Sequence, residues 1–337
     1  MDIVVDKLVK HYRVHSRPPG LAAALKSLFY RKYDTVKAVD EITFAIASGE
    51  RVGFLGPNGA GKTTTLKVLS GLLKPTAGDV RVGPFSPNER RVEFLKSVML
   101  VTGQKNQLMW DLPPADTFEL NRAIYDVPRA DFGPRMAELI ELLEIGDVIR
   151  KPTRQLSLGE RMKCEIAAAL VHNPKLLFLD EPTIGLDVTM QVLVRRFIRT
   201  YSERHHATVL LTSHDMDDVS AICDRVVIIN HGTLHYDGSI GELVTRTRPE
   251  KRVTITLSDA VPAETVGQLA KVVAASDRVV TLQVDQERLR DVIARALQTL
   301  PVTDLTVESA PLEEVLADVF AQARAPHASV NHDRKLP

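Results

Sequence analysis

The stretch GPNGAGKTTT, residues 56–65, decides the fold. Its three glycines and its single lysine allow two readings. One is a tight turn that merely needs positive φ angles. The other is a loop whose backbone N–H groups turn inward around a phosphate. The flanks separate them. VGFLG (52–56) is a short apolar run of the kind that forms a buried strand, and TTTLKVLSGLL (63–73) repeats its apolar residues at helical spacing. Strand, glycine loop and helix form the context a phosphate cradle requires, because the helix adds its positive end to the ring of amides. Residues 56–63 fit G-x-x-x-x-G-K-[ST]. The cradle therefore comprises Gly56, Pro57, Asn58, Gly59, Ala60, Gly61, Lys62, Thr63 and Thr64. In such a loop the lysine reaches the β- and γ-phosphates of a nucleotide and the Thr63 hydroxyl coordinates Mg²⁺.

Further apolar runs extend the pattern. KLLFLDE (175–181) is a second buried strand ending in two acids, and TVLLTSH (208–214) is a third ending in histidine. A helix-like segment lies between them. Strands alternating with helices predict a largely parallel sheet covered on both faces, an α/β core with a P-loop NTPase arrangement. Ligands in such sheets bind at the carboxyl ends of the strands, so Asp180 and Glu181 face the nucleotide. Asp180 fits a Mg²⁺ ligand, and Glu181 is placed to orient or deprotonate the attacking water. From about 105 to 157 the pattern turns helical, with PRMAELIELLEI strongly amphipathic, which predicts a helical subdomain inserted into the core. A boundary follows near 245–251. Beyond it, residues 251–325 read as a small α+β domain, beginning with an alternating strand (RVTITLS) and a helix (AETVGQLAKVVAAS). The polar tail 326–337 reads as disordered.

The 337 residues carry 43 basic and 43 acidic side chains, which offers nothing to a nucleic acid. The two cysteines are far apart and read as reduced thiols. The amino terminus has no signal-peptide core. No apolar run reaches the about 18 residues that a membrane span needs, so any work at a membrane goes through a partner.

LSLGERMKCEIAAALVHNP (156–174) stands between the helical segment and the second strand. Alone it is an N-cap: Ser157 with Glu160 forms a capping box. Together with the other motifs it carries a resemblance. The chain resembles the ATP-binding subunits of ABC transporters, over about residues 2–240, through GPNGAGKTT (phosphate loop), LSLGE (signature), LLFLDE (Walker B), IGLD (D-loop) and TSHD (switch), in the family's order. The family's usual signature is L-S-G-G-Q, so Leu158 and Glu160 depart from it.

That resemblance implies the remaining roles. Gln104 matches the glutamine that senses Mg²⁺ and the lytic water, with Gln107 a nearby rival. His214 matches the switch histidine that contacts the γ-phosphate, and Asp187 the aspartate that couples two sites. Two such subunits, copies or paralogues, face each other, so each ATP lies between the phosphate loop of one and Ser157 and Gly159 of the other. Adenine stacks on an aromatic near the amino terminus; Tyr33 and Tyr12 are the candidates, Tyr33 favoured for its distance from Gly56. The resemblance further implies ATP hydrolysis with Mg²⁺, a cassette over 1–245, integral-membrane permease subunits as partners, no nucleic acid, a peripheral place on the cytoplasmic face of the membrane, and outward transport. The rival class is a soluble ABC ATPase of translation or DNA repair; one cassette without sustained heptads speaks against it.

Residues 13–32 interrupt the pattern. Leu21, Leu25, Leu28 and Phe29 share one helix face, with basic residues around it. The segment reads either as a surface helix packed on the core or as an interfacial helix against anionic lipid.

Overall fold

The computed structural model describes residues 1–15, 33–102 and 107–324. Most of the insertion, the position of Gln104 and the tail from 325 lie outside the described residues. The chain divides into two units, 1–238 and 239–337.

In the first unit, β1 (Ile3–His15), β2 (Tyr33–Ile46) and β4 (Ala77–Val82) form an antiparallel sheet in the order β2-β1-β4. A second sheet contains β3 (Arg51–Leu55), β5 (Val98–Thr102), β6 (Leu176–Asp180), β7 (Thr208–Thr212), β8 (Arg225–Asn230) and β9 (Thr233–Ser239), in the order β5-β6-β7-β3-β8-β9. Pairing from β5 through β8 is parallel. These strands are nearly continuous apolar runs, as a sheet buried on both faces demands; Phe54, Phe178, Leu210 and Val227 have no exposed surface. β8 turns through His231 and Gly232, with φ of 49° and 79°, into β9 at the edge. Two successive positive φ angles are what a two-residue hairpin turn requires.

Among the described residues, the longer helices of this unit are α1 (Lys62–Leu69), α2 (Pro114–Ile124), α3 (Arg129–Leu143), α4 (Leu158–Leu170), α5 (Val188–His205) and α6 (Met216–Ile222). α2 and α3 pack on α4 and form the helical subdomain. α3 begins at Arg129, five residues before the amphipathic stretch read from sequence, and carries Pro134 inside it. Its apolar stripe seats Leu139 and Leu143, both fully buried.

The second unit is a four-stranded antiparallel sheet of β10 (Lys251–Leu257), β11 (Lys271–Ala275), β12 (Val279–Val284) and β13 (Val302–Ser309), in the order β11-β12-β10-β13, with α7 (Ile240–Thr247), α8 (Leu289–Thr299) and α9 (Leu312–Arg324). Two features differ from the sequence reading. The helix expected over AETVGQLAKVVAAS is one short turn, Ala263–Gly267, followed by β11. The stretch KVVAA carries two β-branched residues and finds a partner edge in β12, with Val272 opposite Leu282, so sheet pairing overrides local helix preference. Residues 240–245, expected to close the cassette, belong to the second unit as part of α7. This helix packs on α9, and Arg248 just beyond it bonds Asp318 of α9 at 2.6 Å.

Candidate nucleotide site

The phosphate loop leaves β3 and enters α1. At Gly61 φ is 106°, and a Cβ there would lie 2.3 Å from the Ala38 carbonyl oxygen. At Gly56 a Cβ would lie 2.2 Å from the Ile229 carbonyl oxygen. Both positions must be glycine for the loop to fold against β2 and β8. Lys62 is 8% exposed, and its ammonium donates to the carbonyl of Gly56 and, at 3.1 Å, to that of Pro57. Burial lowers its pKa, opposed by the charges of Glu181 and Asp180. The lysine thus ties the loop to itself from the first residue of the helix.

The carboxyl ends of β5, β6 and β7 lie side by side, with Thr102 opposite Asp180 and Asp180 opposite Thr212. Asp180 accepts from the Thr212 hydroxyl at 2.6 Å and from the Thr63 hydroxyl at 3.4 Å. Glu181 sits at φ 55°, a conformation that costs a non-glycine residue on the order of 1 kcal/mol or more. Its N–H donates to the Thr212 carbonyl at 3.0 Å, which holds the turn. The turn aims the carboxylate at His214: Oε1 lies 3.2 Å from Nε2 and Oε2 accepts from the His214 backbone N–H at 3.2 Å.

Phosphate loop, Asp180, Glu181 and His214 line one cleft of about 1240 Å³. A typical small-molecule pocket has roughly 300–1,000 Å³. Beyond the phosphate loop the lining of this cleft includes Lys67 and the apolar residues Leu72, Val92, Leu100 and Ile124.

Tyr12 lines the cleft and Tyr33 does not, which reverses the preference drawn from spacing. Tyr12 stands opposite Val36 in the β1–β2 register, and Tyr33 stands opposite His15. Tyr33 is therefore three rungs away, about 10 Å along the strand at ~3.3 Å per residue, and an odd step puts it on the other face. Tyr12→Ala is expected to weaken nucleotide binding, by about 1–3 kcal/mol if a base–aromatic stack is lost, and Tyr33→Ala to leave it unchanged. A fluorescent ATP titration checks both.

Ser157, Gly159 and Asp187 do not line this cleft. Ser157 caps α4: its hydroxyl accepts from the Glu160 N–H at 3.2 Å, and Glu160 accepts from the Ser157 N–H at 2.8 Å. These bonds lower the Glu160 pKa, so a carboxylate stands at the start of the helix. A Cβ on Gly159 would lie 2.8 Å from Met190 of α5, so its lack of a side chain serves packing. Asp187 caps α5 by accepting from the Met190 N–H at 3.0 Å. Leu158, Ile184 and Val188 around these caps are exposed.

One residue of this region escaped the sequence reading. Glu165 of α4, 4% exposed, accepts from the backbone N–H groups of Gln107 at 2.7 Å and Leu108 at 3.3 Å. Gln107 lines the cleft, so this carboxyl holds a stretch of cleft wall onto α4. Burial raises the Glu165 pKa while its two backbone partners oppose the rise. The available signal was an acid inside the apolar run CEIAAAL.

The family model described as ABC transporter matches residues 39–184, and the model described as EvrA-like ABC transporter, C-terminal domain, matches residues 249–308. The ABC transporter ATP-binding protein NatA of Bacillus subtilis is 33% identical over 222 residues, covering 66% of this chain and 90% of NatA. This chain belongs to the ABC transporter ATP-binding family. Within that family, the daunorubicin resistance ATP-binding protein DrrA3 of Streptomyces coeruleorubidus is 33% identical over 275 residues, covering 81% of each chain. Among solved structures, an ATP-binding subunit of an ABC transporter superposes with a TM-score of 0.59 at 22% identity, covering 73% of this chain and 92% of that one. A cassette solved as a dimer after hydrolysis, with ADP and Pi, superposes with a TM-score of 0.57 at 23% identity, covering 71% and 98%. The first unit therefore has the fold of an ABC cassette, and its α/β core is of the P-loop NTPase kind. As an ABC cassette it binds and hydrolyses ATP.

Among the described residues no helix is long and apolar enough to cross a membrane, and no group of three or more His, Cys, Asp or Glu side chains is arranged to hold a metal ion. The Mg²⁺ expected with ATP does not need such a group. A hydroxyl and a carboxylate, Thr63 and Asp180, are hard oxygen donors of the kind Mg²⁺ takes, and they lie 3.4 Å apart where they would hold it. The residues present fit the ion.

Proposed function

We propose that this chain is the ATPase subunit of an exporter: a pair of such subunits closes on two ATP molecules and drives a separately encoded permease at the cytoplasmic face of the membrane. The observation that carries this reading is the division of labour within one chain. Lys62, Asp180, Glu181 and His214 share the cleft, while Ser157 and Gly159 lie outside it on an exposed helix start flanked by apolar residues. A second subunit, a copy or a paralogue, supplies that helix start to this cleft, and Asp187 lies beside the same surface.

In this site Lys62 binds the β- and γ-phosphates, the loop amides surround them, and Tyr12 carries the base. Thr63 and Asp180 would hold Mg²⁺, which supplies positive charge to the phosphate oxygens when bound. Glu181 accepts the proton of the attacking water as its oxygen bonds to the γ-phosphorus and the bond to ADP breaks. His214, held by Glu181, donates to a γ-phosphate oxygen. The Glu160 carboxylate adds negative charge where the family usually has a neutral amide, which weakens the pull of that helix start on the partner's nucleotide. Gln104 keeps its proposed role toward Mg²⁺ and water.

The permease docks on the apolar extension of the cleft, where Leu72, Val92 and Ile124 are 57%, 61% and 59% exposed. Outward transport is supported by the names of relatives, which include a bacitracin transport protein and a Nod factor export protein. The test is purification of the full chain from detergent-solubilised membranes. A multi-span protein is expected to come with it, and to be lost from a Leu72→Glu/Ile124→Glu variant that still binds ATP. A chain that elutes without a membrane protein, or with ribosomes or DNA, overturns the proposal.

A further inference from the structure

Beside the Glu181–His214 pair lies a buried charge cluster whose residues do not line the cleft. Asp218 of α6 has no exposed surface. Its carboxylate accepts from the Thr183 hydroxyl, from the Ser213 hydroxyl at 2.7 Å, and from Nε of Arg195 at 2.6 Å. Arg195, on α5, also bonds Asp215 at 2.7 Å, while exposed Asp217 stands 3.8 Å away. Asp215 in turn caps α6 and donates its N–H to the Ser213 hydroxyl at 3.0 Å.

The sequence positions of these partners give the cluster its meaning. Thr183 follows Glu181 by two residues, and Ser213 immediately precedes His214. Both hydroxyl residues are buried, at 2% and 4% exposure. Each of the two catalytic turns therefore places one hydroxyl on the same carboxylate. The turns are also joined at their root, where the Glu181 N–H meets the Thr212 carbonyl. A turn with a glutamate at φ 55° keeps that conformation only if its surroundings over-determine it.

We infer that Asp218, paired with Arg195, is a positioning residue that sets the spacing between the Glu181 carboxylate and the His214 imidazole. The inference rests on the roles proposed above for Glu181 and His214. A buried ion pair retained for stability alone would need only Asp218 and Arg195. Stability of the ion pair does not call for the two hydroxyl bonds, one to each catalytic turn. Four segments of the chain, at 183, 195, 213 and 215–218, converge so that the Glu181 and His214 turns move as one body.

The test uses variants of the full chain that leave the ion pair in place. Thr183→Val and Ser213→Ala each remove one hydroxyl with little change of shape. Each is expected to lower kcat by about tenfold or more, since a ~1 Å misplacement can cost about 10²-fold, while KM and the Kd for fluorescent ATP stay within about twofold, the signature of a lost transition-state contact. Thr183→Ser, which keeps the hydroxyl, is expected to restore the rate. Asp218→Asn should lower kcat further; if it fails to fold, the two hydroxyl variants decide. Normal kcat in folded Thr183→Val and Ser213→Ala, beside an inactive Glu181→Gln control, overturns the inference alone. Normal turnover in Glu181→Gln overturns the base assignment and the inference with it. An equal loss of kcat and of ATP affinity in the hydroxyl variants points to general loosening and also overturns it.

Discussion

Glu181→Gln is expected to bind ATP with unchanged affinity and to lose turnover by about 10²–10⁴-fold, the usual cost of removing a general base. The substitution keeps shape and most hydrogen bonding. The amide oxygen can still accept from the His214 N–H, which the carboxylate now does at 3.2 Å. What it cannot do is take a proton from water. With ATP bound and not consumed, the closed pair of subunits should persist, so light scattering should show an ATP-dependent dimer that the unsubstituted protein forms only in passing. Phosphate release gives the rate. A variant that keeps most of its ATPase activity removes Glu181 from the base role, whatever its effect on the dimer.

Lys62→Ala should fail one step earlier. The ammonium is buried and committed to the loop, where it bonds the carbonyls of Gly56 and Pro57. In the proposed role, those donors would turn to phosphate oxygens when a triphosphate enters. Hydrogen bonds to charged groups contribute about 1.5–3 kcal/mol each. Loss of even one is expected to raise the Kd for ATP by about tenfold or more. The substitution also frees the loop carbonyls, so Lys62→Met, which keeps the apolar stem, separates the charge effect from loop collapse. Unaltered ATP affinity in both variants would remove the phosphate-cradle reading. The two experiments part binding from chemistry: Lys62 variants lose both, Glu181→Gln loses only the second.

The cleft was legible in the sequence wherever its parts are contiguous. GPNGAGKTT needs glycine at Gly56 and Gly61 because neighbouring carbonyls leave no room for a Cβ, and that constraint shows directly as residue type. Asp180 and Glu181 were found because an apolar run ending in acids marks the carboxyl end of a parallel strand. The amino-terminal aromatic residue of the cleft wall was not legible in the same way. Tyr12 and Tyr33 are both aromatics near a strand, and distance along the chain favoured Tyr33, which does not line the cleft. Side-chain direction alternates along a strand, and only the pairing of Tyr12 with Val36 reveals which tyrosine faces the cleft. β11 was hidden for a related reason: KVVAA lies in a stretch that reads as helix locally, and pairing with β12 decides its conformation.

By itself the sequence determined the phosphate loop, the acids at the end of β6, the histidine after β7, the capped start of α4 and the alternation that makes an α/β core. Each depends on residues within a few positions of one another, where sterics and backbone hydrogen bonding act without help from the rest of the chain. The tertiary structure alone decided which tyrosine lines the cleft, that Glu165 holds Gln107, and that Asp218 gathers Thr183, Arg195 and Ser213. Those contacts join residues far apart in the chain. A buried carboxylate selects its partners only after the sheet order has brought β6 beside β7 and laid α5 and α6 against each other, and no spacing along the chain encodes that meeting.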